Sequence, residues 1–371
     1  LFCHASALGG SVILGLGDAN RSFAGSGVFG IPSEALSSLA SALKPEEQQE
    51  LARFISRLDA IAPFTRTDTV GMNPADQLFG GLAAHRDAVT LEWLETPKPD
   101  ALSNDVLGIF TDVPPYWNMY RRERMFYSGF GRGDHARIMM ASSLLCMEDA
   151  SEAVAIDAYF PDIQAYITSL RAPSYESVSG KTIDAARATR GRSLYASTCQ
   201  RCHGGRRDEG AAPRAFVPYA EIGTDPAYAE STTVGSQRNS AVAYYYDFFN
   251  ASWYGTHGAK GRLSPNPEPG YSPPPLDGIW ATAPYFHNGS VPVLEAVLDP
   301  SQRPRIYRRS TDPSRYDFDS PGWPFEEVPE KGDDVSVYDT TLTGYGNTGH
   351  TFAAHLTEAQ RLDLIEYLKT F

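Results

Sequence analysis

The string Cys199-Gln200-Arg201-Cys202-His203 constrains this chain more than any other feature, because it is a C-x-x-C-H motif, the attachment signature of c-type haem. The spacing follows from the chemistry. Thioether bonds to two haem vinyl groups need thiols about one helical turn apart, and the adjacent histidine then swings beneath the iron as proximal ligand. A thioredoxin-like redox pair would need a βαβ setting, and half a zinc site would need a second Cys/His pair at short range. Neither accompanies the motif. The residues from Ala186 to Thr198 read as a helix running into it.

The first residues repeat the pattern in part. Leu1-Phe2-Cys3-His4 is C-x-x-C-H without its first cysteine, and it lies about one domain length before the complete motif. A chance Cys-His pair is the alternative. The expectation is a first haem site cut by the start of the chain, with a signal peptide lost further upstream. Of the four cysteines only Cys146 is left over. It follows the apolar Leu144-Leu145 and is expected to be a buried, inert thiol.

At 371 residues two domains are the default. The expected fold is mainly α with long irregular loops, built as two cytochrome c-like haem domains over 1–172 and 173–371. A helix starts at Lys44-Pro45-Glu46-Glu47 and is expected to end before Pro63. The stretch 64–135 is loop-rich, with Thr111-Asp112-Val113-Pro114-Pro115 as a breaker. Glu148 to Leu170 reads as two helices because of Pro161. A polar linker over 173–185 leads to the second motif, and loops fill 204–345. The last helix starts near Thr357 and carries Leu362, Ile365 and Leu368 on one face. Gly 32 and Pro 27 fit this loop content.

Charge removes whole classes of function. Lys+Arg 32 against Asp+Glu 45 gives −13, which argues against a nucleic-acid or anionic-membrane surface. No run of about 18 apolar residues is present, so no membrane span is expected. Covalent haem is attached outside the bacterial inner membrane, so the expected location is periplasmic or secreted.

The irons need sixth ligands or vacancies. All six methionines (Met72, Met119, Met125, Met139, Met140 and Met147) precede the second motif. A six-coordinate second iron would therefore use a histidine, with His257, His287, His350 and His355 as candidates, each of which has a plain structural role as its alternative. At the first iron, Met72 or Met119 would close the distal side. Alternatively it stays open, walled by aromatics from the stretch Phe110, Tyr116, Trp117, Tyr120, Phe126, Tyr127 and Phe130, some of which belong to the core.

With these residues in view, the chain resembles the dihaem c-type oxygenases that cleave rubber, relatives of the bacterial dihaem cytochrome c peroxidases. The carriers are Cys3-His4, Asp112 to Trp117, Met125-Phe126-Tyr127, Gly131 to Arg137, Cys199 to His203, and Ala283-Pro284-Tyr285-Phe286-His287-Asn288-Gly289-Ser290. The last string is shared across the peroxidase-like proteins. The resemblance implies two haem c groups with iron, His4 and His203 as proximal ligands, and His350 as distal ligand of the second haem. It implies Phe126 as the distal phenylalanine of a catalytic first haem and Phe110 as a second wall residue. The implied chemistry is activation of O2 or peroxide, with an apolar small molecule or a polymer such as polyisoprene as substrate. A peroxidase acting on a redox protein and a plain electron-transfer cytochrome are the alternative readings. The chain departs from the pattern at Thr111, where the resemblance leads one to expect a tryptophan between the haems.

Overall fold

The computed structural model describes residues 3–23, 33–98, 109–235, 240–256 and 261–371. His257 lies outside them.

Helices, short strands and loops all contribute to the buried core. Among the described residues four small sheets have two or three strands each. A hairpin directly after His4 pairs Ala5–Leu8 with Ser11–Leu14, in register Ala5↔Leu14 to Leu8↔Ser11. Arg124–Met125, Gly131–Gly133 and Gly261–Leu263 form a three-stranded sheet whose third strand comes from far along the chain. Ile306–Arg309 lies between Phe325–Glu327 and Val337–Asp339. Val217–Pro218 pairs with Gly270–Tyr271.

Several helix boundaries differ from expectation. The Pro45–Thr65 helix runs through Pro63. A proline in the last turn forfeits a single backbone bond, which the buried face of Leu58 and Ile61 offsets. The two helices about Pro161 are Ala150–Asp157 and Phe160–Ser169, with Pro161 in the first turn of the second, where its missing N–H costs nothing. The stretch taken as a polar linker contains the helix Tyr175–Ser179, capped by Ser174. Tyr175 is buried and its hydroxyl donates to Phe318 O at 3.0 Å. Cys146 is exposed rather than buried, because Leu144 and Leu145 turn inward and the chain turns out again after them.

The Ala185–Thr198 helix crosses the C-terminal helix Glu358–Leu368 at very short range. A Cβ on Gly191 would sit 2.0 Å from Asp363 O and 2.9 Å from Tyr367 Cβ, so only glycine permits the crossing. Arg190 clamps the same point with two 2.7 Å bonds to the Asp363 carboxylate. On the C-terminal helix Leu364, Ile365 and Leu368 face the core, whereas Leu362 is half-exposed and lies off that face.

The buried clusters do not divide at residue 172. One joins Leu58, Phe79 and Leu144 to Tyr228, Phe249 and Leu263. Another joins Leu8, Ile13 and Trp117 to Tyr195, Trp280 and Leu364. A small third cluster holds Met72, Phe110, Tyr307, Tyr338 and Tyr345.

Candidate haem site

Cys199 ends the Ala185–Thr198 helix, and the following turn Gln200–His203 brings Cys202 and His203 back over it. The backbone N–H groups of both residues donate to Cys199 O, at 3.1 and 3.0 Å. Tyr195 braces the turn from inside through a 2.6 Å bond to Gly204 O. Burial pushes the Cys199 thiol up to about 12. A redox-active C-x-x-C cysteine needs the opposite shift.

These residues line an open, mostly apolar cavity of about 200 Å3. His203 and His350 stand in it with ring centroids 6.2 Å apart. A metal bonded to both rings at about 2 Å each would separate the centroids by about 6 Å once the two half-rings are added. Burial holds both imidazoles neutral. His203 is lowered, and His350 is lowered to about 3, by burial first and then by the neighbouring His203 and Arg303. Neutral imidazole is the ligating form. The Nδ1 of His203 lies 2.8 Å from Pro274 O, which leaves Nε2 for an iron. Two thiols a turn apart, two facing neutral imidazoles and an open apolar cavity between them fit a covalently attached haem.

The His350 loop is densely hydrogen-bonded to its surroundings. His350 has φ +46°, a left-handed conformation costing about 1–2 kcal/mol outside glycine. Its surroundings hold it there. Arg303 donates to Asn347 O and Gly349 O at 2.7 Å and to His350 O at 3.3 Å, and its guanidinium lies over the Phe286 ring. Asn288 donates to Gly344 O and Gly346 O, both at 3.0 Å. His350 N donates to Ile222 O at 2.8 Å. Gly349 packs against Gly223 so closely that a Cβ would meet it at 2.1 Å.

The other histidine candidates are placed differently. His287 is buried on the cavity wall, where its Nε2 lies 3.1 Å from the Tyr271 hydroxyl among the Tyr127 and Tyr228 rings. His355 is exposed.

His4 has the same arrangement as His203. Its Nδ1 lies 3.1 Å from Pro114 O, burial lowers it to about 3, and its ring stacks on Tyr116 at 3.6 Å. Cys3 beside it is partly buried, and its thiol is raised by desolvation. The two proline segments are bolted together. Asn118 donates to Pro275 O at 2.9 Å, Trp117 Nε1 to Asp277 O at 2.8 Å, and Arg121 pairs with the Asp277 carboxylate at 2.7 Å. The proline that accepts from each histidine is therefore fixed to the other.

Phe126 adopts φ +63°, stacks on Phe130 at 4.3 Å and packs against the first cluster. Phe110 lies in the third cluster beside Met72, so the two aromatics taken as one wall occupy different clusters. Met119 is partly buried against the first cluster. Thr111 pairs with Asn73 in a backbone bridge.

Pro114, Pro274, Asn288 and Arg303 were not singled out as site residues in the sequence. The only signal for the two prolines was their strings, Pro114-Pro115 read as a breaker and Pro273-Pro274-Pro275 lying in the loops over 204–345, although carbonyls in both strings are the acceptors of the two histidines.

Known proteins resemble this chain over the same elements. Residues 186–241, which include the complete motif, match the family described as cytochrome C oxidase, cbb3-type, subunit III. Residues 270–308, which include Pro274, His287, Asn288 and Arg303, match the family described as RoxA-like, cytochrome c-like. With the site geometry, these matches support a c-type cytochrome with covalently bound haem c and its iron. Two proteins of Sinorhizobium fredii (strain NBRC 101917 / NGR234) are similar, and both are named only as uncharacterized. To y4iJ the chain is 30% identical over 261 residues, which are 57% of this chain and 43% of y4iJ. To y4iM it is 26% identical over 325 residues, 78% of this chain and 70% of y4iM. The chain thus spans less than half the length of y4iJ. Among the described residues no helix is long and apolar enough to cross a membrane.

Proposed function

We propose that the protein is a dihaem c-type cytochrome of the periplasm or the secreted fraction, with an electron-transfer haem at Cys199, Cys202, His203 and His350 and a second haem held by Cys3 and His4. The observation that carries the reading is the pair of facing imidazoles, 6.2 Å apart above the C-x-x-C-H turn. Bound haem iron supplies a reversible one-electron centre, and it activates O2 or peroxide where its sixth position is open.

The chain's own residues orient and shield that centre. Pro274 accepts from His203 and fixes which ring nitrogen faces the iron. Asn288 and Arg303 hold His350 in a strained, preorganised pose from which it would ligate a haem iron. Pro114 repeats the first role for His4. The Asn118, Trp117 and Arg121 contacts keep the two sites in fixed relation, which suits passage of electrons between them without a tryptophan at position 111.

The first haem is the candidate for chemistry. Phe126, strained and apolar, is its proposed ceiling, which would admit a neutral diatomic and an apolar substrate. The matched RoxA-like segment and the resemblance to rubber oxygenases favour oxidative cleavage of an apolar C=C substrate, with O2 as partner. Replacing Cys199 and Cys202 together by Ala tests the foundation. Haem staining under denaturing conditions should be lost from the 174–371 region, and persistent staining there would sink the assignment.

A further inference from the structure

We propose that Arg122 is the counter-charge for a propionate carboxylate of the haem held at Cys199 and Cys202, an inference that rests on that haem reading. Its side chain lines the same cavity as Cys199, Cys202, His203 and His350. One guanidinium nitrogen donates to Phe126 O at 2.9 Å, and the buried Nε has no hydrogen-bond partner among the described residues. The groups that act on it electrostatically are the phenols of Tyr127 and Tyr228, which burial keeps neutral. Asp112 is the carboxyl on the same wall. It accepts from the Tyr127 hydroxyl, and burial drives its pKa well above the usual carboxylate range.

Arginine does not deprotonate in a protein, so a desolvated guanidinium with no anion is an incomplete site. What completes it is planar and anionic, and a carboxylate meets the fork with two parallel hydrogen bonds. A haem that fills this cavity brings carboxylates with it. The other contact of Arg122 is the backbone of Phe126, itself in a left-handed conformation. One side chain therefore joins the wall of the second cavity to the ceiling residue of the first site.

The test is a spectroelectrochemical titration of the holoprotein, wild type against Arg122→Gln and Arg122→Lys, with each haem followed by its own bands. Arg122→Gln should lower the midpoint potential of the second haem, because an unscreened carboxylate stabilises ferric iron. Arg122→Lys should stay near wild type, since the charge is kept. An unmoved second haem in Arg122→Gln, with its haem still covalently attached, overturns the proposal. Equal shifts in both variants overturn it too, as they would report packing rather than charge. A shift confined to the first haem gives the carboxylate to that haem and overturns the assignment made here. If the wild-type potential falls on adding acetate to carboxylate-free buffer, Arg122 is open to a soluble anion and the proposal fails. Absence of covalent haem from Cys199 and Cys202 in the wild type would remove the underlying reading instead.

Discussion

Two histidines with their Nδ1 atoms on proline carbonyls do the same work 199 positions apart, and only half of that arrangement could be read beforehand. The thiols and the adjacent histidine are visible because thioether chemistry dictates their spacing. The carbonyl acceptors are not, since any residue carries a carbonyl and only the fold brings one to a ring nitrogen. The same holds for Asn288 and Arg303, which act on backbone oxygens some 50 residues away. Asn288→Ala should free the His350 loop by roughly 1–3 kcal/mol of lost hydrogen bonding. A partial high-spin signal in the electronic spectrum, at unchanged haem content, is the expected readout. Cys146 gives a second check at this scale. Desolvation raises its thiol, so the thiolate fraction grows as pH rises above neutrality. Maleimide labelling followed by mass spectrometry should therefore be slow at pH 7 and faster at pH 9. Label on Cys199 or Cys202 would show that these are free thiols.

Among the elements, the helix running into the motif, the C-terminal helix with its apolar spacing, and the split at Pro161 were legible. Their packing was not, because it turns on a single glycine. Gly191→Val should destabilise the protein by about 1–3 kcal/mol through forced separation of the two helices. Thermal unfolding would show it as a lowered Tm, while a Tm equal to wild type would mean that the crossing yields easily. Buried arginines were equally hidden. Arg86 is fully buried and caps the carbonyls of Leu91 and Met147 at 2.6 Å, beneath a stacked Trp93. Arg86→Met should cost about 1–3 kcal/mol for each acceptor left dry, measured by denaturant unfolding. Local pattern says nothing of such residues, since an arginine in a sequence reads as surface.

For the molecule as a whole, a sequence division at residue 172 is crossed by the first two buried clusters and by the Arg124–Met125, Gly131–Gly133 and Gly261–Leu263 sheet. Sequence order reveals motif spacing, whereas clusters follow long-range pairing that no local period encodes. If the two histidine sites work as one unit, a pyridine haemochrome assay should count two haems per chain. Phe126→Ala should then alter O2 or peroxide reactivity markedly while both stay attached, whereas a methionine–iron band lost in a Met72 or Met119 variant would instead identify an electron carrier. The central claim is that His203 and His350 bind one iron from opposite sides. Electron paramagnetic resonance of His350→Ala tests it most directly. The low-spin signal of that haem should convert to high-spin in His350→Ala and stay intact in His287→Ala. The reverse pattern would contradict the account.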